Sequence, residues 1–558
     1  MENKTIARSL RLLSQLMELH NENPFKIKTV ANAALKVDKL PFAINTKTRE
    51  EMEQIDGLGK STAAKVWELL QTGTMADLEN ILLKTPEGIV EMLGIKGIGP
   101  KKIVIIWKDL GIENIGELYY ACNENRLIEA KGFGLKTQEE IKKVIEFKMA
   151  AQGKFLYAHS ETLVQNLTAE LLLWLTQLEE APLLRVAGGY RRYNEIIEEL
   201  DFVIGADNVA ITEQLHLFAA LPFEQSTANM FTAMSPFGLK IQLHIYPKSA
   251  FYLNLFKLTG NDAHVNAVLA LAGEGPFADE QEIYVKAGLS FVEPELREGL
   301  NEVELAKSGK LPTLITYDDL KGSLHNHSTW SDGVHTLEEM ARYCKDQLKL
   351  EYLGICDHSK SAFYAKGLNE LRVYAQHQEI EALNQKLAPF KIFKGIESDI
   401  LNDGSLDYSD DILKTFDFVV ASVHSNLRMD EEKATARLIK AIENPYTTIL
   451  GHPTGRLLLS RKGYPIDYHK IIDACAANNV VIEINANPLR LDLDWRYHRY
   501  ALEKGVLLSV NPDAHRMEGF RDMHYGVYMG RKGGLEAGSC LNTFTLEQIS
   551  AYFSSRKQ

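Results

Sequence analysis

The stretch LHNHSTWSDG, residues 324–333, has the residue types and spacing of a metal site. His325 and His327 are two apart on a segment with the pattern of a strand, so both imidazoles leave one face and can bind one ion. Asp332 follows just beyond the predicted strand end, within reach of a second ion. A single HxH pair is often incidental, but six later segments repeat its design.

Beyond a predicted boundary near Leu311, apolar strand-like runs alternate with helical stretches, the pattern of a parallel β/α architecture. Seven of these runs end in side chains of metal-ligand type. The six runs after the first supply Asp357 and His358; Glu397 and Asp399; His424; His452 and Arg456; Glu483 and Asn485; and Asp513 and His515. Functional residues gather at the carboxyl ends of strands in a β/α barrel, so these runs predict one shared mouth. One histidine there is more often a packing residue, whereas the whole set predicts a metal centre.

Imidazole and carboxylate ligands suit Zn²⁺, Mn²⁺ or Fe. The cysteines are scattered and include no CxxC pair, so we expect neither a disulfide framework nor a thiolate zinc site. They are Cys122, Cys344, Cys356, Cys475 and Cys540.

Three Gly-x-Gly turns, each followed by an amphipathic helical pattern, repeat within residues 1–150. Paired glycines permit a tight hairpin with positive φ, and the amides of the next helix start can hold an anion such as a DNA phosphate. The residues concerned are Gly57, Gly59 and Lys60; Gly97, Gly99, Lys101 and Lys102; and Gly132 and Gly134. One such turn is only a turn, but three resemble helix-hairpin-helix DNA-binding motifs, which grip the backbone without reading bases.

Length and charge set the wider limits. A chain of 558 residues predicts roughly three to four domains. The net charge of −13 argues against general nucleic-acid binding, but residues 1–150 carry 22 Lys and Arg against 21 Asp and Glu, so the acidity lies elsewhere. No apolar run approaches the roughly 20 residues that span a bilayer, and the N-terminus lacks a signal-peptide core. We therefore expect no membrane contact and a cytoplasmic, nucleoid-associated protein.

The segment LLRVAGGYRRYNEIIEELDFVIGAD resembles the nucleotidyltransferase signature of family X DNA polymerases. In that family a Gly-Ser turn binds triphosphate, and three carboxylates hold two Mg²⁺. Here the turn is Gly188 and Gly189, the first two carboxylates are Glu199 and Asp201, and the third position is Gln242. Glutamine removes a charge that two close Mg²⁺ ions need, so Mg²⁺ binding is doubtful and we predict that polymerisation is lost or weak. The acidic pair is then a strand-edge pair without a metal.

The seven ligand-bearing runs resemble the PHP (polymerase and histidinol phosphatase) domain, a distorted (β/α)₇ barrel with three metal ions. The resemblance implies that one ion takes His325, His327, Glu397 and Asp513, that a second shares Glu397 and adds His424 and His452, and that a third takes Asp332, His358 and His515. Glu397 would bridge two ions, while Arg456 would stabilise charge on the phosphate. Asp357, Asp399 and Glu483 would orient ligand imidazoles, and Lys360, Arg428 and Arg490 are weaker candidates for phosphate contact.

From end to end the chain resembles the bacterial PolX family, which predicts a multidomain α+β and α/β protein. The predicted domains are residues 1–80, an N-terminal helical domain with the first hairpin; 81–150, a fingers-like hairpin domain; 151–235, a degenerate palm; 236–310, the end of the palm and the thumb; 311–320, a linker; and 321–558, the PHP barrel. Lys65 occupies the position of a family lysine that can attack abasic sugars, although a solvated helix lysine is the commoner reading.

The resemblance implies a DNA-repair enzyme with metal-dependent 3′-5′ exonuclease activity, and also abasic-site endonuclease activity. Its expected partner is primer-template, gapped or abasic DNA, and the expected state is a monomer. Three alternatives stay open: an active gap-filling polymerase with an exonuclease, a small-molecule phosphatase of the histidinol-phosphatase type, and a DNA-binding scaffold without catalysis.

Overall fold

A computed structural model describes residues 1–95, 97–128, 130–150 and 153–556, with 147–150 described by their backbone. The chain divides into two compact units, Met1–Glu146 and Phe147–Gln558. None of the described helices combines the length and the apolar character needed to cross a membrane.

The first unit is helical. Its helices are α1 (Asn3–Leu19), α2 (Pro24–Asp38), α3 (Arg49–Glu53), α4 (Lys60–Thr72), α5 (Ala76–Leu82), α6 (Glu87–Met92), α7 (Pro100–Val104, followed by a π turn over Ile105–Asp109), α8 (Ile115–Asn123) and α9 (Leu135–Ala150). Pro24 begins α2, where its missing N–H costs nothing, and the Asn23 side chain accepts a hydrogen bond from Phe25 N (2.9 Å). A helix follows each Gly-x-Gly turn, as predicted.

The second unit begins with a mixed sheet and its helices. The elements are β1 (Phe155–Leu156), α10 (Tyr157–Leu178), β2 (Leu183–Val186), α11 (Gly188–Arg191), β3 (Ile196–Ile197), β4 (Glu199–Gly205), α12 (Ala210–Gln214), β5 (Glu224–Thr227), β6 (Met230–Met234), β7 (Lys240–Tyr246), α13 (Phe251–Thr259), α14 (Asp262–Ala272), α15 (Glu280–Ala287) and α16 (Glu302–Ser308). The strand order is β2-β4-β7-β6-β5, and β4 and β7 run parallel. We call this the mixed sheet.

The rest of the unit alternates strands and helices. The elements are β8 (Gly322–Ser323), α17 (Leu337–Arg342), β9 (Tyr352–Ile355), α18 (Glu370–Leu387), β10 (Lys391–Asp399), α19 (Asp410–Leu413), β11 (Phe418–Ser422), α20 (Glu431–Ile442), β12 (Ile449–Leu450), α21 (Tyr468–Asn478), β13 (Val481–Asn485), α22 (His498–Glu503), β14 (Leu508–Asn511), α23 (Met523–Lys532) and α24 (Leu546–Ser555). Strands β8 to β14 pair in chain order, each parallel to the next. A parallel bridge between Asn326 and Ala514 joins the two ends into a nearly closed barrel. The predicted fold class is confirmed.

Buried apolar side chains fill the barrel below its ligand-bearing end. Tyr352, Phe393 and Phe418 point into this core, and α24 closes it because the Phe553 ring stacks on Phe418 with centroids 4.9 Å apart. Strand β8 ends at Ser323, two residues before the HxH pair. The pair therefore lies on extended chain beyond the strand, where the His327 amide donates to the Ala514 carbonyl (2.9 Å).

Charged contacts join the mixed-sheet half to the barrel. The ammonium group of buried Lys532 donates to the Arg192 carbonyl (2.8 Å) and to Asn194 Oδ1 (3.1 Å), and it also pairs with Glu298. The predicted linker is bonded to the barrel as well, since Ile315 N donates to the Leu535 carbonyl (2.9 Å). The predicted boundaries within residues 153–556 stay predictions.

Candidate metal centre

The nine predicted ligands lie together at the carboxyl-terminal end of the barrel strands. All but His424 and Asp332 are almost entirely removed from solvent, and these two are partly buried. The set consists of His325, His327, Asp332, His358, Glu397, His424, His452, Asp513 and His515. Parallel β/α connections bring these positions together although they span nearly two hundred residues of sequence.

Glu397, near the end of β10, lies at the centre of the cluster. Its Oε1 is 3.0 Å from His452 Nε2, 3.1 Å from His424 Nε2 and 3.4 Å from His325 Nε2, and its Oε2 is 2.9 Å from His358 Nδ1. Burial alone would raise the pKa of Glu397, but the charges of His424, His325 and His358 outweigh burial and hold that pKa well below its usual range. The carboxylate therefore stays ionised and can face more than one cation.

Two further carboxylates complete the cluster. Asp513 Oδ1 lies 3.0 Å from His327 Nε2, while Asp332 lies 3.4 Å from His515 Nε2 and 3.5 Å from His358 Nε2. Among the described residues of the barrel, three groups have ligand atoms close enough to share an ion. They are His325, His327 and Asp513; His327, Asp332, His358 and His515; and His358, Glu397 and His424. His327 and His358 each belong to two groups, so the implied distribution over three ions stays a prediction.

Several ligand atoms face the cluster without a hydrogen bond. In the described part of the chain, His325 Nε2, His327 Nδ1, both ring nitrogens of His358 and Glu397 Oε2 are buried and have no hydrogen-bond partner. The 2.9 Å between His358 and Glu397 is thus a close approach without hydrogen-bond geometry. Such atoms are costly unless something else binds them. Convergent nitrogen and oxygen donors fit divalent cations, so these residues can hold the implied metals.

Carboxylates behind the cluster fix which imidazole nitrogen faces it. Glu483 on β13 accepts hydrogen bonds from His325 Nδ1 (2.7 Å) and from the backbone amide of His452 (2.7 Å). Asp399 accepts one from His424 Nδ1 (2.5 Å). In each ring the other nitrogen, Nε2, is left for the cluster. These contacts match the predicted roles of Asp399 and Glu483.

Asp357 has a different role from the one predicted, because it bonds a loop rather than an imidazole. It accepts hydrogen bonds from the amide (2.8 Å) and hydroxyl (2.8 Å) of Ser328, from Ser331 Oγ (2.5 Å) and from Gln376 Nε2 (2.6 Å). These bonds fix the loop that carries Asp332. Asp357 therefore positions a ligand through the backbone.

Arg456 was predicted to contact phosphate, but its guanidinium group is already engaged. It donates to Asp494 Oδ2 (2.6 Å), to the Arg490 carbonyl (2.8 Å) and to the Leu491 carbonyl. Its contacts shape the loop over residues 490–494. Arg490, unlike Arg456, acts on a ligand of the centre: burial lowers the pKa of His452, and the charge of Arg490 lowers it further. A phosphate role for Arg456 stays a prediction that would require these bonds to break.

In the mixed sheet, the residues at the predicted degenerate polymerase positions lie near one another, but Asp201 is hydrogen-bonded by neighbouring side chains of the sheet. Asp201 on β4 lies opposite Gln242 on β7, and its Oδ1 accepts from Gln242 Nε2 (3.3 Å) and His244 Nε2 (2.8 Å). Its Oδ2 lies against Gly188, where an added Cβ would be 2.5 Å away. A side chain at Gly189 would meet Asn194 Nδ2 at 2.6 Å, so no hydroxyl is accommodated there without rearrangement.

Glu199 points to solvent instead of towards Asp201. Its side chain is 47% exposed and pairs with Lys240, with 3.2 Å between Oε2 and Nζ. Among the described residues, the side-chain groups spaced to hold a metal include none from this sheet.

The chain is similar to known proteins along its whole length. Residues 1–75 match the family described as a helix-hairpin-helix domain, and residues 89–146 match the SAM-like helix-hairpin-helix tandem. The chain is 32% identical over 575 aligned positions to the "DNA polymerase/3′-5′ exonuclease PolX" of Bacillus subtilis (strain 168), with 99% of each chain covered. The chain belongs to the PolX family.

Relatives outside PolX match a smaller part of the chain. A "Probable phosphatase" of Thermoanaerobacter sp. (strain X514) is 30% identical over 189 residues, 32% of this chain and 74% of that protein. Another, from Caldanaerobacter subterraneus, is 36% identical over 146 residues, 24% of this chain and 55% of that protein. Part of this PolX chain is therefore similar in sequence to proteins that are named probable phosphatases.

The hairpins of this PolX member have the backbone that their glycines predicted. Gly57, Gly97 and Gly132 have φ of 87°, 94° and 85°. Among the described residues, an added Cβ at Gly97 and Gly132, and likewise at Gly59, Gly99 and Gly134, would meet nothing within 4 Å, whereas at Gly57 it would lie 2.8 Å from Lys36 Cγ. These five positions are therefore open, and no described side chain caps the helices that begin after Gly59 and Gly99. Lys65 forms an ion pair with Asp77.

Sequence reasoning missed His244, which holds the carboxylate of Asp201. The signal was present in LKIQLHIYP, because His244 is two residues after Gln242 and so shares its face of β7. The pairing of Arg456 with Asp494 left no comparable signal, since it depends on the path of a loop.

Proposed function

We propose that the barrel of this PolX member is a metal-dependent phosphodiesterase that removes nucleotides from DNA 3′ ends. The observation that carries the proposal is the buried cluster of nine ligands, in which, among the described residues, His325 Nε2, both ring nitrogens of His358 and Glu397 Oε2 have no hydrogen-bond partner. The exonuclease in the name of the B. subtilis relative and the phosphatases among the other relatives agree with phosphate-ester hydrolysis.

Different residues of the cluster are proposed to bind the metal ions, to orient the imidazole ligands and to supply positive charge. Three divalent ions, the number that the resemblance implies, which we propose to be Mn²⁺ or Zn²⁺, would acidify a water and offset charge on the phosphate. Glu397 presents both carboxylate oxygens to different imidazole-lined positions, and Glu483 and Asp399 hold His325 and His424 in the tautomer that leaves Nε2 facing inward. Arg490 supplies positive charge beside His452.

The hairpins are proposed to hold the DNA backbone. Open glycine turns and uncapped helix starts suit phosphate, and Lys60, Lys101 and Lys102 lie in the first turns of the helices that follow. The proposed substrate is primer-template, gapped or abasic DNA, bound by a monomer in the cytoplasm at the nucleoid.

Templated polymerisation is proposed to be lost or weak. Its support is the contact pattern of Asp201, which is hydrogen-bonded by Gln242 and His244, while Glu199 faces solvent. Two Mg²⁺ ions need several converging anionic oxygens, and here one carboxylate is buried beside a glutamine.

One primer-template experiment tests both halves. A 5′-labelled primer-template is incubated with Mn²⁺, with and without dNTPs, and the wild type is compared with His325→Ala, Asp201→Ala and the exposed control His216→Ala. We expect shortening that only His325→Ala abolishes. Extension of the primer that Asp201→Ala abolishes would overturn the polymerase proposal.

The phosphatase alternative is supported by the names of the shorter relatives. Release of phosphate from histidinol phosphate without shortening of any DNA end would favour that alternative and reject the nuclease. An abasic duplex in the same series tests endonuclease cleavage. Borohydride trapping on abasic DNA, with the Lys65→Ala variant for comparison, tests the alternative that Lys65 attacks abasic sugars, which would give a covalent adduct in the wild type alone.

A further inference from the structure

The loop that follows the ligand His358 is compact and closed. Leu368 N donates to the His358 carbonyl (2.8 Å), and Gly367 N donates to the Ala362 carbonyl (3.0 Å). An added Cβ at Gly367 would lie 1.9 Å from the carbonyl oxygen of Ser359, so only glycine fits where the two ends of the loop meet. The apex of this loop is therefore held in place by its base.

The loop is also bonded to the metal ligands. Ser359 N donates to the Glu397 carbonyl (3.0 Å). Ser361 Oγ donates to Asp399 Oδ2 (2.6 Å), and the other oxygen of Asp399 accepts the bond from His424 Nδ1. The loop and the ligands thus form one connected structure at the mouth of the barrel.

An aromatic pair occupies the apex. Ala362 and Ala365 are fully buried and anchor a single 3₁₀ turn, whereas Phe363 between them is 87% exposed. The ring of Tyr364 lies on the cluster side, with its centroid 6.3 Å from the ring of His358. A single exposed apolar residue is common and means little by itself. Phe363, however, lies on a loop that is closed by backbone hydrogen bonds and begins directly after the predicted metal ligand His358.

We propose that Phe363 and Tyr364 stack on the base of the 3′-terminal nucleotide whose phosphodiester bond lies at the metal centre. The proposal rests on the proposed exonuclease function and adds the group that recognises the strand end. Because the Tyr364 ring lies 6.3 Å from the ring of the ligand His358, a nucleotide whose phosphate is held at the cluster can reach the apex of this loop. Every base has a π face, so an aromatic platform accepts any terminal base without reading its sequence.

The first test compares kinetics on a 5′-labelled single strand in Mn²⁺. Loss of one stacking ring is expected to raise KM by about 5- to 150-fold in Phe363→Ala, with kcat nearly unchanged. Phe363→Trp should retain wild-type KM, because the indole ring also stacks. Leu371→Ala is the matched control, since Leu371 is a similarly exposed apolar residue (80%) early in α18 and lies outside the aromatic pair.

A second substrate separates stacking from a general defect. A strand that ends in a tetrahydrofuran abasic nucleotide has no terminal base, so wild type and Phe363→Ala should have equal KM on it. Equal KM on the normal strand as well, with an active wild type, would reject the stacking proposal alone. A wild type inactive on both strands would reject the nuclease. A dimer in light scattering that Phe363→Ala dissociates would assign the exposed ring to a second copy of the chain and overturn the proposal.

Discussion

The ligand cluster of the barrel and the acidic pair of the mixed sheet have similar residue spacing, but the hydrogen-bond partners of their polar side chains differ. Both have polar residues two apart next to parallel strands: His325 and His327 just beyond the end of β8, and Glu199 and Asp201 at the start of β4. Among the described residues of the barrel, several buried inward-facing atoms, such as His325 Nε2 and Glu397 Oε2, lack hydrogen-bond partners. In the mixed sheet, Asp201 is bonded to His244 and Gln242, and Glu199 pairs with Lys240 at the surface.

We expect this difference to distinguish a metal site from a polar cluster that holds no metal better than residue type does. Metal ligands converge on a point in space, so their own atoms cannot all hydrogen-bond to one another. A site that has lost its metal can relax until its polar groups satisfy each other, because unpaired buried groups are costly. The barrel keeps the first pattern and the mixed sheet has the second.

The largest expected effect is on the central carboxylate. Glu397→Gln keeps the size of the side chain but removes the charge that several imidazoles face. We expect the nuclease rate to fall at least about 10²- to 10³-fold, comparable to the loss of one group that stabilises charge in a transition state. Metal content and circular dichroism, measured on the same sample, distinguish a lost ion from a lost fold. Full activity in this variant would contradict the assignment of the centre.

A smaller effect is expected where a carboxylate only orients a ligand. Glu483→Gln weakens the hydrogen bond from His325 Nδ1 and the one from the His452 amide. Loss of such a partner lowers metal affinity or activity by about 10- to 100-fold. Titration of the metal-free protein with Mn²⁺ should show weaker binding, and saturating Mn²⁺ should restore part of the rate. A deficit that excess Mn²⁺ does not reduce would argue for a direct chemical role instead.

Metal affinity should depend on pH. Burial alone would lower the pKa of His424, but Glu397 and Asp399 raise it to about 9 in the metal-free protein. Below that pH a proton must leave before the ring can bind a cation, so apparent affinity should rise with pH by up to about tenfold per unit. The same shift stabilises the metal-free fold below about pH 6.5, and this stability is lost as pH rises through 9. Calorimetric titration between pH 6 and 9 measures the affinity, and a flat profile would contradict the shift.

The sequence predicted the barrel well because its signal is repeated. Each strand end carried a side chain of metal-ligand type, so seven weak signals supported one another, and the PolX family and the fold class are confirmed. Single contacts were harder to predict. Arg456 looked like a phosphate ligand but pairs with Asp494, and Asp357 bonds serines of a loop instead of an imidazole. Side-chain partners across loops depend on backbone paths that no local pattern encodes.

The smallest expected effect concerns repair of the mixed sheet. Gln242→Asp restores the third carboxylate of the family pattern, but we expect no detectable primer extension from this change alone. His244 would still hold Asp201, and Glu199 would still be directed to Lys240 at the surface. Two Mg²⁺ ions require all their carboxylates to converge, so one added charge next to Asp201 is insufficient. Primer extension with Mg²⁺ and dNTPs is measured in a His325→Ala background to prevent degradation, with Glu199→Asp and His244→Ala added in turn. Primer extension by the Gln242→Asp variant alone would show that the mixed sheet lacks only one carboxylate. The hydrogen bonds of Asp201 and the ion pair of Glu199 would then not be what prevents polymerisation.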